Sequence, residues 1–207
     1  MQKKKNLLKL TLTAIALLSV SAVNAQLLSL SVKGGVNFSA LNNGFTKKMD
    51  TELKTGFHAG LGVDISIPML FDIQTGLNFT TKGTKFKNSD DLKVNASYLE
   101  IPVMIAYKIP ILPKIKFVPN IGPYFAYGIG GKTKLHVEDA PAGKMDTFDK
   151  ALKKFDWGIG GGIGIEVSKF TANLGCQFGL KDLNNRKGES MKTQNIQITV
   201  GYKFFGI

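Results

Sequence analysis

The sequence predicts an all-β protein, an eight-stranded up-and-down antiparallel transmembrane β-barrel. Three observations predict it. Eight segments alternate apolar and polar residues with a period of two, the signal of half-buried strands. The connections between them alternate between very short and long. Within the segments one face is bulky and apolar, while the other is small and rich in glycine.

The alternation is clearest at 57–67, where Phe57, Ala59, Leu61, Val63, Ile65 and Ile67 face one way and Gly56, His58, Gly60, Gly62, Asp64 and Ser66 the other. Segment 71–80 repeats the form, with Phe71, Ile73, Thr75, Leu77 and Phe79 against Asp72, Gln74, Gly76, Asn78 and Thr80. Segments 29–38, 97–109, 115–130, 155–167, 170–181 and 194–205 complete the set, each long enough to cross a bilayer when tilted. Pro68-Met69-Leu70, residues 110–114 and Ser168-Lys169 are the short connections; 39–54, 83–96, 131–154 and 182–193 are long and polar. Short turns at one rim and long connections at the other are the pattern of membrane barrels, with both termini and the short turns on the periplasmic side. A short helix is expected around residues 149–154.

Volume decides which face points inward. Eight strands enclose a lumen just wide enough for side chains to fill it. Several bulky groups per strand overfill that lumen, whereas Gly158, Gly160, Gly162 and Gly164 suit it, since repeated glycine in a strand marks a packing limit. The apolar face therefore turns outward to lipid, the reverse of a soluble barrel. Aromatic residues agree. Phe38, Phe57, Phe79, Tyr127, Phe155, Trp157 and Phe178 gather near the long-connection rim, and Phe71, Tyr107, Phe117, Phe170, Tyr202 and Phe204 near the other. Two aromatic girdles are expected of such a barrel.

The 207 residues fit one domain, and Cys176 alone rules out an internal disulfide. Four of the +12 formal charges come from Lys3, Lys4, Lys5 and Lys9. These precede an acid-free apolar run over 7–23 and small residues at Val23-Asn24-Ala25, the pattern of a signal peptide over 1–25. The barrel domain then occupies 26–207. Gln26 rather than Cys after the expected cut argues against the lipoprotein route, and no later run of 18 apolar residues offers a spanning helix. The remaining lysines are scattered and Arg186 is the single arginine, which argues against nucleic-acid binding.

Several stretches together resemble the porin-like, PorT-type outer-membrane barrels of Bacteroidetes. They are Gly34-Gly-Val-Asn-Phe-Ser39, Tyr98-Leu-Glu-Ile-Pro-Val103, Gly122-Pro-Tyr-Phe-Ala-Tyr-Gly-Ile129, Asp156-Trp-Gly-Ile-Gly160, Gly179-Leu-Lys-Asp-Leu-Asn184 and Val200-Gly-Tyr-Lys-Phe204. The resemblance implies an eight-stranded barrel of the cell outer membrane, inserted by the barrel-assembly machinery. It implies no transport activity. Barrels of this kind usually end on an aromatic residue; here Phe204-Phe205 are followed by Gly206-Ile207.

Motifs for chemistry are weak. Gly131-Lys132-Thr133 resembles the end of a phosphate-binding loop, but Ala126 stands where its first glycine belongs. His58 is expected inside the barrel as a structural hydrogen-bonding group. His136 with Glu138 and Asp139 imitates part of a rim-sited enzyme, yet no serine lies nearby. No metal-ligand spacing or cofactor motif is found, so the expectation is a non-enzyme without cofactor. The net positive long connections read first as solvated loops, with contact to lipid A phosphates as the alternative.

The inward charges are more informative. Near the short-turn rim lie Lys33, Asp64, Asp72, Lys108, Lys116, Glu166 and Lys203. Buried charges must be paired or strongly hydrogen-bonded, so these seven are expected to form an ion-pair network that fills the lumen. The functional expectation is a structural or interaction protein working through its long extracellular loops. Its expected partners are outer-membrane lipid and lipopolysaccharide. A small porin or transporter is the alternative, and a rim-sited enzyme the third.

Overall fold

Alternating side chains on long strands leave one solution in lipid, a sheet closed on itself, because no water satisfies an open edge there. The computed structural model describes residues 27–42, 51–67, 71–86, 89–137, 140–150, 152–184 and 190–206; the expected signal peptide lies outside them. Eight strands form the wall. They are β1 (Leu28–Asn42), β2 (Thr51–Ile67), β3 (Phe71–Phe86), β4 (Ser89–Ala106), β6 (Ile115–Gly130), β9 (Phe155–Val167), β10 (Phe170–Gly179) and β11 (Lys192–Phe205). Each pairs antiparallel with its neighbours along the chain. β11 pairs with β1 from Leu30↔Phe205 to Asn42↔Lys192 and closes the ring.

The apolar set faces outward. Leu61, Ile121, Ile163 and Val200 are 53–62% exposed, whereas the inward Asn37, Tyr98, Glu100 and Asp156 are at most 1% exposed. At Gly158 an added Cβ would lie 2.1 Å from the Phe178 carbonyl oxygen, so the packing limit read from the glycine run is real there. Ser168, in the two-residue turn between β9 and β10, has φ +56°, the left-handed conformation that tight hairpin turns require.

Three connections differ from expectation. Residues 83–96 do not form a long loop: β3 and β4 continue past the apolar band as a paired ribbon. Residues 131–154 contain the hairpin β7 (Lys132–Val137) and β8 (Ala140–Asp146), which adds to the edge of β4. The short helix α1 is Thr147–Lys150, earlier than the expected 149–154. Backbone hydrogen bonding continues beyond the membrane, where no face has to be apolar, and the period-two apolar signal then weakens. At the other rim β5 (Ile109–Leu112) pairs with β6 inside the connection 110–114.

The asymmetry of the rims predicts orientation. An epitope inserted between Val137 and Ala140 should be bound by antibody on intact cells and leave the fold standing, because hairpin ends tolerate insertion. The same epitope between Ser168 and Lys169 should be bound only after the cells are opened. Reversed labelling would invert the topology. Ala142-Gly143, expected from the sequence to lie in a solvated loop and so to accept an insertion, lies instead within β8.

Candidate functional site in the barrel lumen

The inward faces of the eight strands build the lumen in layers. At the short-turn rim stand all seven residues expected from the sequence. Lys203 Nζ lies 3.1 Å from Asp64 Oδ2 and also bonds Glu166 Oε2. Lys116 reaches Glu166 Oε1 at 3.5 Å, Lys33 lies 3.9 Å from Asp64 Oδ1, and Lys108 pairs with Asp72. Five of them form a chain, Lys33–Asp64–Lys203–Glu166–Lys116, while Lys108 and Asp72 make a separate pair, so the seven do not form the one network expected. Lys203, Asp64 and Glu166 are buried at the centre, while the Lys116 side chain is 40% exposed at the edge.

Above this cluster the lumen is not filled. A chamber of about 140 Å³ is lined by Lys33, Asp64, Asn78, Asn120, Asn173 and Gln197, among others, with Gly161, Gly164 and Gly175 on its wall. Side chains missing from the glycine-rich face leave this space, which departs from the expectation of a filled lumen. Its polar lining and size suit water, which needs roughly 10–15 Å³ per molecule on this measure.

The next layer was not anticipated. Lys82 Nζ donates to Glu100 Oε2 at 2.7 Å and to Gln177 Oε1 at 3.1 Å, and Gln177 Nε2 donates to Glu100 Oε1 at 2.6 Å. The ammonium lies 4.5 Å from the Tyr124 ring centroid, a cation–π contact. Tyr124 and Thr193 hydroxyls donate to Asp156 Oδ2 at 3.3 and 2.9 Å. Beside them His58 bonds Asn37 Oδ1 through Nδ1 and Thr199 Oγ1 through Nε2, the structural role expected of it. Carrying the alternation two steps past Thr80 places Lys82 and Thr84 on the inward face. That signal was available in the sequence.

The last layer is an apolar cap. Leu41, Ala96, Tyr98, Tyr124, Ala126, Phe148, Leu152 and Leu183 pack together at the long-connection end. Helix α1 carries Phe148 inward, where its ring meets Tyr98 edge to face at 5.2 Å. Gly128 makes the room, since a Cβ there would lie 2.4 Å from the Phe148 ring. Thr147 Oγ1 donates to the Asn95 carbonyl at 2.8 Å, and Lys153 N–H donates to the Leu183 carbonyl at 2.9 Å. Asp182 holds the other segment by accepting the N–H groups of Asn184 and Met191, each at 2.9 Å. Partial burial opposes its charge. Those two donors, with Lys153 and Lys192 nearby, outweigh it and hold its carboxyl below the ordinary range. Long connections expected to be solvated thus fold back over the mouth, because their apolar residues find the rings of Tyr98 and Tyr124.

The weaker motifs find no chemistry. Gly131-Lys132-Thr133 runs into strand β7, not into the helix a phosphate loop needs. His136 lies in β7, and Glu138 and Asp139 lie outside the described residues. Among the described residues no group of three His, Cys, Asp or Glu side chains is placed to hold a metal ion.

Comparison with known proteins agrees with this architecture. The sequence matches the model of the outer membrane protein beta-barrel domain family over residues 24–185. No curated protein matches it in sequence. Among solved structures it resembles a major outer membrane protein from Thermus thermophilus, with a TM-score of 0.51 and 11% identity over 86% of this chain and 99% of that one. Neisserial surface protein A gives 0.49 at 10% identity over 86% and 97%. Ail, the attachment invasion locus protein of Yersinia pestis, gives 0.47 at 14% over 85% and 98%. At such identities the Thermus likeness shows the fold alone. The family match covers most of the sequence, and the chain belongs to the outer membrane protein beta-barrel domain family.

Proposed function

We propose that this outer-membrane barrel has a closed lumen and acts through its extracellular segments, in a structural or interaction role. The observation that carries the reading is the filling of the long-connection end. There the apolar cap lies directly on the buried Lys82–Glu100–Gln177 cluster, whose Glu100 and Gln177 border the chamber below. The charges agree. Lys33, Lys82, Lys108, Lys116 and Lys203 formally balance Asp64, Asp72, Glu100, Asp156 and Glu166 in the two clusters. A path with no net charge offers little field to select ions.

Within the family, the motifs from Gly34 to Phe204 favour the PorT-type branch, with export by the N-terminal segment and insertion by the barrel-assembly machinery. Outer-membrane lipid and lipopolysaccharide are the surroundings such a wall must meet. A small porin or transporter is the second reading, and the chamber favours it.

Planar-bilayer recording tests the choice. The wild-type barrel should show no steady open channel. Phe148→Ala, which thins the cap, should add at most brief openings, because the charged cluster beneath remains. A stable, reproducible wild-type conductance would overturn the closed-lumen reading and put the transporter first.

A further inference from the structure

The floor of the chamber has one cation to spare. In the chain Lys33–Asp64–Lys203–Glu166–Lys116 three ammonium groups meet two carboxylates. The loosest member is Lys33, which lines the chamber and lies 3.9 Å from Asp64 Oδ1, too far for a hydrogen bond. Ser31 lines the floor beside it. Ser31 Oγ and Asp64 Oδ1 are both buried without a hydrogen-bond partner. A Cβ added to Gly62 would lie 2.5 Å from Ser31 Oγ and 2.6 Å from Lys33 Nζ, so the hydroxyl and the ammonium converge over the same point.

A buried polar group left without a partner costs its full desolvation. Three unmet demands meet at this floor: an ammonium and a hydroxyl that can donate, and a carboxylate oxygen that can accept. A carboxylate with a hydroxyl on the neighbouring carbon answers all three. The rest of the lining is neutral and hydrogen-bonding, with Asn78, Asn120, Asn173 and Gln197. The glycine wall seats one of these amides, since a Cβ on Gly162 would lie 3.0 Å from Asn173 Oδ1 and one on Gly164 3.2 Å from its Nδ2. At the far end Glu100 already accepts from Lys82 and Gln177, so no second charge is called for there. The chamber's 140 Å³ holds roughly ten water-sized groups, at roughly 10–15 Å³ each.

We propose that the chamber is a binding site for a small hydroxylated carboxylic acid of the sugar-acid class. Its carboxylate sits on Lys33 and Ser31, one hydroxyl donates to Asp64 Oδ1, and the amides of the wall take the remaining hydroxyls. The surplus ammonium names the anion, and the amide lining and the volume name the hydroxylated body. The site needs the chamber and not the closed cap, so a conducting barrel would leave it standing.

The test is titration calorimetry on the full barrel in phosphatidylcholine nanodiscs, with gluconate and glucose as probes. The two are alike in size and hydroxyl content, and only gluconate carries a carboxylate. Wild type should bind gluconate about tenfold more tightly, the scale of one charge-assisted hydrogen bond. Lys33→Gln should remove that preference, and Ser31→Ala should weaken gluconate binding. Asp64 keeps Lys203 in the Lys33 variant, so the barrel should retain its folded mobility on an unheated gel. Gly175→Leu tests the chamber without touching a charge. A Cβ there meets Asn173 Oδ1 at 3.2 Å and the Gly161 carbonyl oxygen at 3.4 Å, so a side chain can extend into the space once the Asn173 amide yields slightly. This variant should bind neither probe. Should Lys33→Gln fail to fold, Ser31→Ala and Gly175→Leu decide. Equal affinity for the two probes, or no binding of gluconate, would overturn the proposal and leave a chamber that holds water alone. A preference for gluconate that survives Lys33→Gln or Gly175→Leu would also overturn it, by assigning the anion to lysines outside the chamber.

Discussion

Lys82→Met should destabilise the barrel by about 3–5 kcal/mol, the cost of breaking a buried ion pair by removing one partner. Both side chains of the Lys82–Glu100 pair are 2% exposed, and only the Glu100 side of the pair borders the chamber, so little water reaches the place of the lost ammonium. Glu100 would keep only the Gln177 amide. The measurement is the urea midpoint of unfolding in lipid vesicles. Lys82→Met with Glu100→Gln should recover most of the loss, since removing both charges of a buried pair is often close to neutral. A loss below about 1 kcal/mol for the single change would mean that water fills the place of the ammonium, contrary to the burial of the pair beneath the cap.

Lys203→Met should also be costly, about 2–3 kcal/mol, although it strands two acids rather than one. The difference lies in the reserves around it. Asp64 retains Lys33 at 3.9 Å and Glu166 retains Lys116 at 3.5 Å. The partly exposed Lys116 and the chamber on the other side bring solvent close enough to share the load. Lys203→Met combined with Lys116→Met removes the reserve for Glu166. Its loss should exceed the sum of the single losses, as coupled neighbours do. Strict additivity would show that Lys116 does not support Glu166.

What the sequence reveals and what it hides follow from one physical rule. Where one face of a strand meets lipid, the residues must alternate, and 57–67, 71–80, 155–167 and 194–205 announce themselves. The same alternation put Lys33, Asp64, Asp72, Lys108, Lys116, Glu166 and Lys203 inside. Past Thr80 the strand leaves the lipid, no face has to be apolar, and Lys82-Gly83-Thr84-Lys85 looks like a loop while remaining a strand. Phe148, Leu152 and Leu183 are isolated apolar residues in polar stretches. Only the position of Tyr98 and Tyr124 across the lumen gives them a partner, and no period encodes that. The chamber is hidden for a different reason: it is space left over between glycines, a sum over several strands.

The seam between β1 and β11 has a kinetic side. Leu30 and Phe205 become neighbours although nearly the whole barrel sequence separates them. Contacts so distant along the chain form late, because the loop they close is entropically expensive. Until β11 arrives, β1 presents a row of unsatisfied N–H and C=O groups that a hydrocarbon interior cannot solvate. An incomplete barrel is thus least tolerable in the membrane that its finished form requires. Pairing of β11 with β1 removes that open edge, so the seam is the step that makes the ring tolerable in lipid.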